Sequence, residues 1–234
     1  MKKKFICIIP ARGGSKRIKN KNIISFYGKP IIAHSILTAI KSKIFDRVII
    51  STDSKKIAKI ATKYGAEVPF LRPKKLSNDS TIIKNVLKHA IVETNSQKYN
   101  YFCCIYPTAP LINSNDLKKA QKKILKHKAS ALIAITRFNN HPFRMLKLNK
   151  KYIKFYQPAY EKTNTQNVPE FYHDSGSFYF YKTKISKNWR RYFLADLHFQ
   201  LNIRVYTKIA IANVFVIRYW WMALVHMSKV RRKN

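Results

Sequence analysis

At 234 residues the chain has room for one α/β domain with at most a small appended lobe, and a composition of 46% hydrophobic and 13% aromatic residues is that of a packed globular protein rather than a disordered or fibrous one. Lysine and arginine number 47 against 10 acids, a formal charge of +37, which raises nucleic-acid binding as a function class. The lysines are scattered rather than gathered into a stripe, and Lys, Asn and Ile are abundant together. Biased composition is therefore the preferred reading, and no specific nucleic-acid partner is expected.

The apolar run Phe5–Pro10 predicts a first buried strand. It is too short for a signal-peptide core and leads into a polar loop, so a cytoplasmic location is expected. Ile32, Ile36 and Ile40 recur at helical spacing within Ile31–Ser42, Arg47–Ser51 reads as a strand, and Lys55–Tyr64 as a helix closed by Gly65. Ile82–Thr94 and Ser114–His127 read as helices, Tyr101–Tyr106 and Leu132–Thr136 as strands. This alternation predicts a doubly wound, mostly parallel sheet. From about Asn139 to residue 170 the rhythm breaks. Met145–Leu148 and Tyr152–Phe155 around Asn149-Lys150-Lys151 read as a hairpin excursion of the kind used for dimer contact, and Gly176–Tyr181 returns as an aromatic strand. Cys7, Cys103 and Cys104 lie in strand-like runs and read as buried thiols of a reducing compartment.

The most informative segment follows the first strand, at the carboxyl edge where open α/β sheets take ligands: Ala11-Arg12-Gly13-Gly14-Ser15-Lys16-Arg17-Ile18-Lys19-Asn20-Lys21-Asn22. Gly13 and Gly14 allow close approach of a phosphate to backbone N–H groups, and Arg12, Lys16 and Lys21 supply cations for charge that develops on a transferring phosphoryl group. The spacing matches neither a Walker A loop nor a dinucleotide-binding G-x-G-x-x-G.

This segment resembles the signature of the sugar-activating cytidylyltransferases, the family of the CMP-sialic acid synthetases, in which the first strand opens into A-R-x-x-S-K…K-N. Ala11, Arg12, Ser15, Lys16, Lys21 and Asn22 match it. The resemblance continues through Gly28-Lys29-Pro30-Ile31, residues 45–53 and the run from Tyr64 to Pro73. It implies a Rossmann-like nucleotidyltransferase fold over residues 1–190. It also implies CTP and a nine-carbon α-keto acid sugar as substrates, and a homodimer. Arg12, Lys16 and Lys21 become the catalytic candidates. Ala11, Gly13, Gly14, Ser15, Asn22 and Arg72 are nucleotide candidates, joined by Asp79 and Ser80 in Leu76–Thr81 and by Pro107 and Thr108 in Tyr106–Leu111, which resembles the family's P-T-[SA]-P-L motif. Asp53 reads either as a helix cap or as a ligand contact.

Tyr172–Tyr179 resembles the H-D-x-G-[QS]-F-Y stretch of the family's pseudaminic acid branch, where the sialic acid branch carries R-x-x-G-[AS]-x-Y. Tyr172, His173, Asp174, Ser177 and Tyr179 are thereby implied at the sugar. The family also ends on a strand with an acidic pair that binds Mg²⁺. That pair is not found here: Asp196 is the last acid of the chain, and Ile209–Met227 is apolar apart from Arg218, with a basic tail behind it. Residues 191–234 read as a divergent tail, frameshifted or otherwise scrambled, in preference to a membrane anchor, since Arg218 would be costly inside a bilayer. A homologue that binds without catalysing is the alternative this departure opens.

Overall fold

The computed structural model describes residues 3–138, 141–149, 151–183 and 197–200. The described residues divide into two units, 3–137 with 172–183 and 197–200, and those between 138 and 171. The questions of Asp196 and of the apolar tail fall outside the described residues.

The first unit holds a six-stranded sheet. Its strands are β1 (Phe5–Pro10), β4 (Arg47–Ser51), β5 (Tyr101–Ile105), β6 (Ala131–Arg137), β9 (Tyr172–Lys182) and β10 (Leu197–Gln200), in the spatial order β10-β6-β9-β5-β1-β4. β1 runs parallel to both β4 and β5, with Ile8 opposite Ile49 and Cys104. β10 runs parallel to β6, and β9 lies antiparallel between β5 and β6. The sheet is thus mostly parallel, as expected, with one inverted strand that the spacing of the sequence does not announce. A two-residue ribbon, β2 (Ser25–Phe26) with β3 (Lys29–Pro30), precedes the first helix.

The helices are α1 (Ile31–Ser42), α2 (Lys55–Lys63), α3 (Ile83–Glu93) and α4 (Ser114–Lys126), within one or two residues of expectation. Their apolar stripes account for the layering. Val86, Leu87, Ala90 and Ile91 are the buried face of α3, and its Leu87, Ala90 and Ile91 pack on Ile6, Ile8, Ile49, Phe102 and Cys104. Because strand side chains alternate, Phe5, Cys7 and Ile9 of β1 face the opposite side, where Phe5 stacks on Tyr101 at 5.0 Å and meets the edge of Phe180 at 6.1 Å. The three thiols are buried and free. Burial raises the pKa of each, as an inert core thiol requires.

Two features at the carboxyl edge position the site. β1 ends level with β4, Pro10 opposite Ser51, and the Ala11 amide donates to the Ser51 carbonyl at 2.9 Å. β9 begins well before its pairing with β5 does: Ile105 pairs with Phe178, while Tyr172, His173 and Asp174 pair only with Arg137, Thr136 and Ile135 of β6. The first half of β9 therefore projects past the end of β5.

In the second unit β7 (Leu146–Asn149) and β8 (Tyr152–Phe155) form the expected hairpin, Leu148 opposite Ile153. Leu146, Leu148, Tyr152 and Ile153 are 58–72% exposed, so apolar side chains stand in solvent on both strands.

Phe180 is fully buried between Phe5, Phe45 and Phe178. Phe180→Ala is expected to lower the unfolding free energy by about 3–5 kcal/mol through lost burial and the cavity left behind, measured by chemical denaturation; a loss below about 1 kcal/mol would contradict the packing described.

Candidate functional site

The loop leaving β1 is fastened from both sides. The Gly13 amide donates to Asp53 Oδ1 at 2.8 Å, and Asn22 Nδ2 donates to the Arg12 carbonyl at 2.9 Å. Gly13 has to be glycine, because a Cβ there would lie 2.9 Å from Ser54 Cβ. Gly14 meets no such crowding; its Cβ would stand in open space. Of the two glycines the sequence singled out, one is demanded by the fold and the other is free for a ligand's approach.

Ser54, not Asp53, caps α2: its hydroxyl accepts from the Ile57 amide at 3.3 Å. Asp53 is thereby left to hold Gly13, and Arg72 lies behind it, Nη2 3.9 Å from Oδ1. Arg72 is 5% exposed, donates from Nε to Ser77 Oγ at 3.0 Å, and its amide donates to the Thr52 carbonyl at 2.7 Å. Burial lowers its pKa against the opposing pull of Asp53. Arg72 thus joins the β1 loop, the end of β4 and the 76–81 segment.

The cations occupy graded positions. Lys16 is 86% exposed, and Arg12 is half-buried. Lys21 has a lowered pKa, chiefly through burial and then through Arg17 and Arg12. Burial is the larger part of that depression, and the neighbouring guanidinium groups add to it. Asp79 reaches over from the 76–81 segment. Its Oδ1 accepts from Arg12, and its Oδ2 lies 3.1 Å from Lys16 Nζ. Those two cations, Lys16 first, hold the Asp79 carboxyl below the ordinary carboxylate range. Ser80 and Thr81 bond to Asn78 Oδ1 and do not cap α3, which begins with no side-chain cap. Ala11 and Pro107 are buried, Ser15 and Thr108 partly exposed. The Asn22 side-chain oxygen and Ser51 Oγ are buried without a hydrogen-bond partner in the structure.

On β9, Asp174 accepts from Tyr179 Oη at 2.7–2.8 Å on both carboxylate oxygens and from the Gly176 amide at 2.8 Å. Gly176 itself has a left-handed backbone, φ +62°. His173 Nδ1 lies 2.8 Å from the Asp174 carbonyl. Ser177 and Tyr179 are buried, whereas Tyr172 and Asp174 remain exposed. Tyr106 was not singled out by the sequence as a site residue, yet its ring packs on Tyr179 with centroids 5.4 Å apart. Its place directly before Pro107-Thr108 is the signal that could have found it.

Among the described residues no three His, Cys, Asp or Glu side chains gather to hold a metal ion. Asp53 and Asp79, the carboxylates beside the loop, are engaged as described.

Burial, then Cys104 and Asp174, push the Tyr106 phenol from its ordinary 10.0 up to about 12. A raised phenol pKa means the folded state holds the proton more tightly, so this contribution is complete below pH about 10 and lost as pH rises through about 12. Ultraviolet difference titration of wild type against Tyr106→Phe is expected to show this phenol ionising only above pH 11; ionisation near 10 would contradict its burial.

The sequence profile of the family "Cytidylyltransferase" matches residues 6–219. The chain is 43% identical over 184 residues to the pseudaminic acid cytidylyltransferase of Campylobacter jejuni subsp. jejuni serotype O:23/36 (strain 81-176), covering 77% of this chain and 79% of the relative. It is 34% identical over 183 residues to the N-acylneuraminate cytidylyltransferase of Escherichia coli O18:K1:H7 (strain RS218 / NMEC), covering 76% of this chain and 42% of that one. Among solved structures, CMP:2-keto-3-deoxy-manno-octonic acid synthetase complexed with CTP superimposes with a TM-score of 0.61 at 17% identity, over 80% of this chain and 77% of that one, a likeness of fold.

Proposed function

This chain belongs to the cytidylyltransferase family, and we propose that it transfers CMP from CTP to a nonulosonic acid, pseudaminic acid by the H-D-x-G-S-F-Y form of residues 173–179, releasing pyrophosphate. The observation that carries the reading is the Arg12–Asn22 loop, clamped by Asp53 and presenting Arg12, Lys16 and Lys21 at the carboxyl edge of the sheet.

In this reading the anomeric hydroxyl attacks the α-phosphate in line. The P–O bond to the β-phosphate breaks, the hydroxyl proton passes to solvent, and pyrophosphate departs with the bonding pair. Arg12, Lys16 and Lys21 stabilise the charge that gathers on the α-phosphate and the leaving group, and the open side of Gly14 and Ser15 admits the phosphates. The unpaired buried oxygen of Asn22 is a group that needs a donor, and a nucleotide N–H or O–H supplies one. The sugar lies against Tyr172, His173 and Asp174. Tyr179 and Ser177, being buried, position Asp174 and the β9 backbone rather than touch the substrate.

Mg²⁺ is the cofactor expected of the family. Among the described residues no three His, Cys, Asp or Glu side chains gather, and no step is assigned to a metal. The absence from the sequence after Asp174 of the acidic pair that the family carries favours, as a second reading, a homologue that binds CTP without turning it over. The exposed apolar faces of β7 and β8 support a homodimer joined through the hairpin.

Purified protein with CTP, Mg²⁺ and pseudaminic acid is expected to release pyrophosphate and form the CMP-sugar, with Arg12→Ala lowering kcat/KM by roughly 100-fold or more. Tight CTP binding with no pyrophosphate release would establish the second reading. For the assembly, light scattering is expected to give a mass near twice the chain's 27.5 kDa, and Leu148→Lys with Ile153→Lys is expected to halve it. A monomeric wild type would overturn the dimer.

A further inference from the structure

Asp79 sits against the cations of the β1 loop. It comes from a segment 67 residues away from Arg12, and both of its oxygens are committed to the β1 loop, one to Arg12 and one to Lys16. It is the one carboxylate among the described residues that is ion-paired to that loop's cations. Its own segment does not depend on it: Ser80 and Thr81 are held by Asn78, and Asn78 donates to the Lys75 carbonyl. The carboxylate is 44% exposed, and Lys16 more so. Exposed pairs of this kind contribute little and exchange readily.

We propose that Asp79 is a displaceable counter-ion that selects polyphosphate over singly phosphorylated ligands, a specificity residue acting through Arg12 and Lys16. The inference rests on the reading that these two cations take the triphosphate. A guanidinium and an ammonium held by one carboxylate are won by a ligand offering more charge and more acceptor oxygens. The β- and γ-phosphates of CTP meet that requirement, and a lone phosphate meets it less well. When pyrophosphate leaves, Asp79 recaptures the cations and lowers the affinity for the departing product. This assigns Asp79 a role opposite in sign to that of a nucleotide-holding residue: its charge weakens anion binding at the loop it contacts.

The test is calorimetric titration of the full chain with inorganic pyrophosphate, inorganic phosphate and CTP, in wild type, Asp79→Asn, Asp79→Ser and Asp79→Glu. Asp79 is exposed, so neither neutral variant is expected to disturb folding, and each checks the other. Both should bind pyrophosphate more tightly by on the order of three- to tenfold, the worth of the two exposed pairs removed. Phosphate affinity should rise by at least as large a factor, and Asp79→Glu should stay near wild type. The gain should shrink at high salt. Unchanged or weakened pyrophosphate binding in both neutral variants overturns the proposal, including the case in which Asp79 contacts the nucleotide or a metal directly. The CTP arm is separate. Tighter pyrophosphate with no CTP binding by wild type would leave the counter-ion standing and remove the cytidylyltransferase reading; CTP binding without the pyrophosphate gain would do the reverse.

Discussion

Between the Gly13 amide and Asp53 Oδ1 runs a hydrogen bond of 2.8 Å that ties the loop leaving β1 to the loop leaving β4. Much of the site depends on it. A glycine-bearing loop loses more conformational freedom on ordering than any other, and an ordered anion-binding loop needs an anchor that does not use the groups meant for the ligand. Asp53 serves because Ser54 has taken over the capping of α2, leaving the carboxylate free to turn inward. Behind it the buried guanidinium of Arg72 offsets the charge of Asp53 and reaches Ser77, so the same carboxylate also fixes the segment that carries Asp79. Two strands ending side by side, β1 and β4, make the arrangement possible.

From this clamp the electrostatics follow. The chain carries +37, but at the β1 loop the surplus is given geometry. Burial first, and then the nearby Arg17 and Arg12, lower the pKa of Lys21. Arg12 and Lys16 share Asp79. In the proposed function polyphosphate binds here and relieves the crowding of cations, which is what preorganised stabilisation of a phosphoryl transfer requires. The start of β9 is built differently. Asp174 is held by Tyr179 and by a left-handed Gly176 on a strand that overruns its neighbour. It presents polar groups against aromatic surface, a surface suited to a sugar.

Much of this was legible in the sequence, and the reasons for success and failure are physical. The helices and the parallel strands announce themselves through local periodicity, and the basic loop through a pattern of residues in one stretch. The direction of β9 was not legible, because an aromatic run such as Phe178–Tyr181 reads the same in either direction and only its partners β5 and β6 decide. β10 was missed because four residues in a basic, unpatterned stretch carry no period; their pairing with β6, about 65 positions earlier in the chain, makes the strand. Asp53 and Asp79 were read at this sheet edge with their partners unassigned. A carboxylate's identity fixes its charge, whereas its partner is chosen by which distant loops the sheet edge brings together.

The account's central claim is that CTP is gripped by the Arg12–Asn22 loop and the facing 76–81 segment. Amide hydrogen exchange followed with and without CTP tests it most directly. The account predicts slowed exchange at residues 11–22 and 76–81, with the lysine-rich outer surfaces of α2 and α4 unchanged. Protection on those helices with none in the loop would contradict it, and would return the chain's charge to the polyanion-binding role that its composition alone suggests.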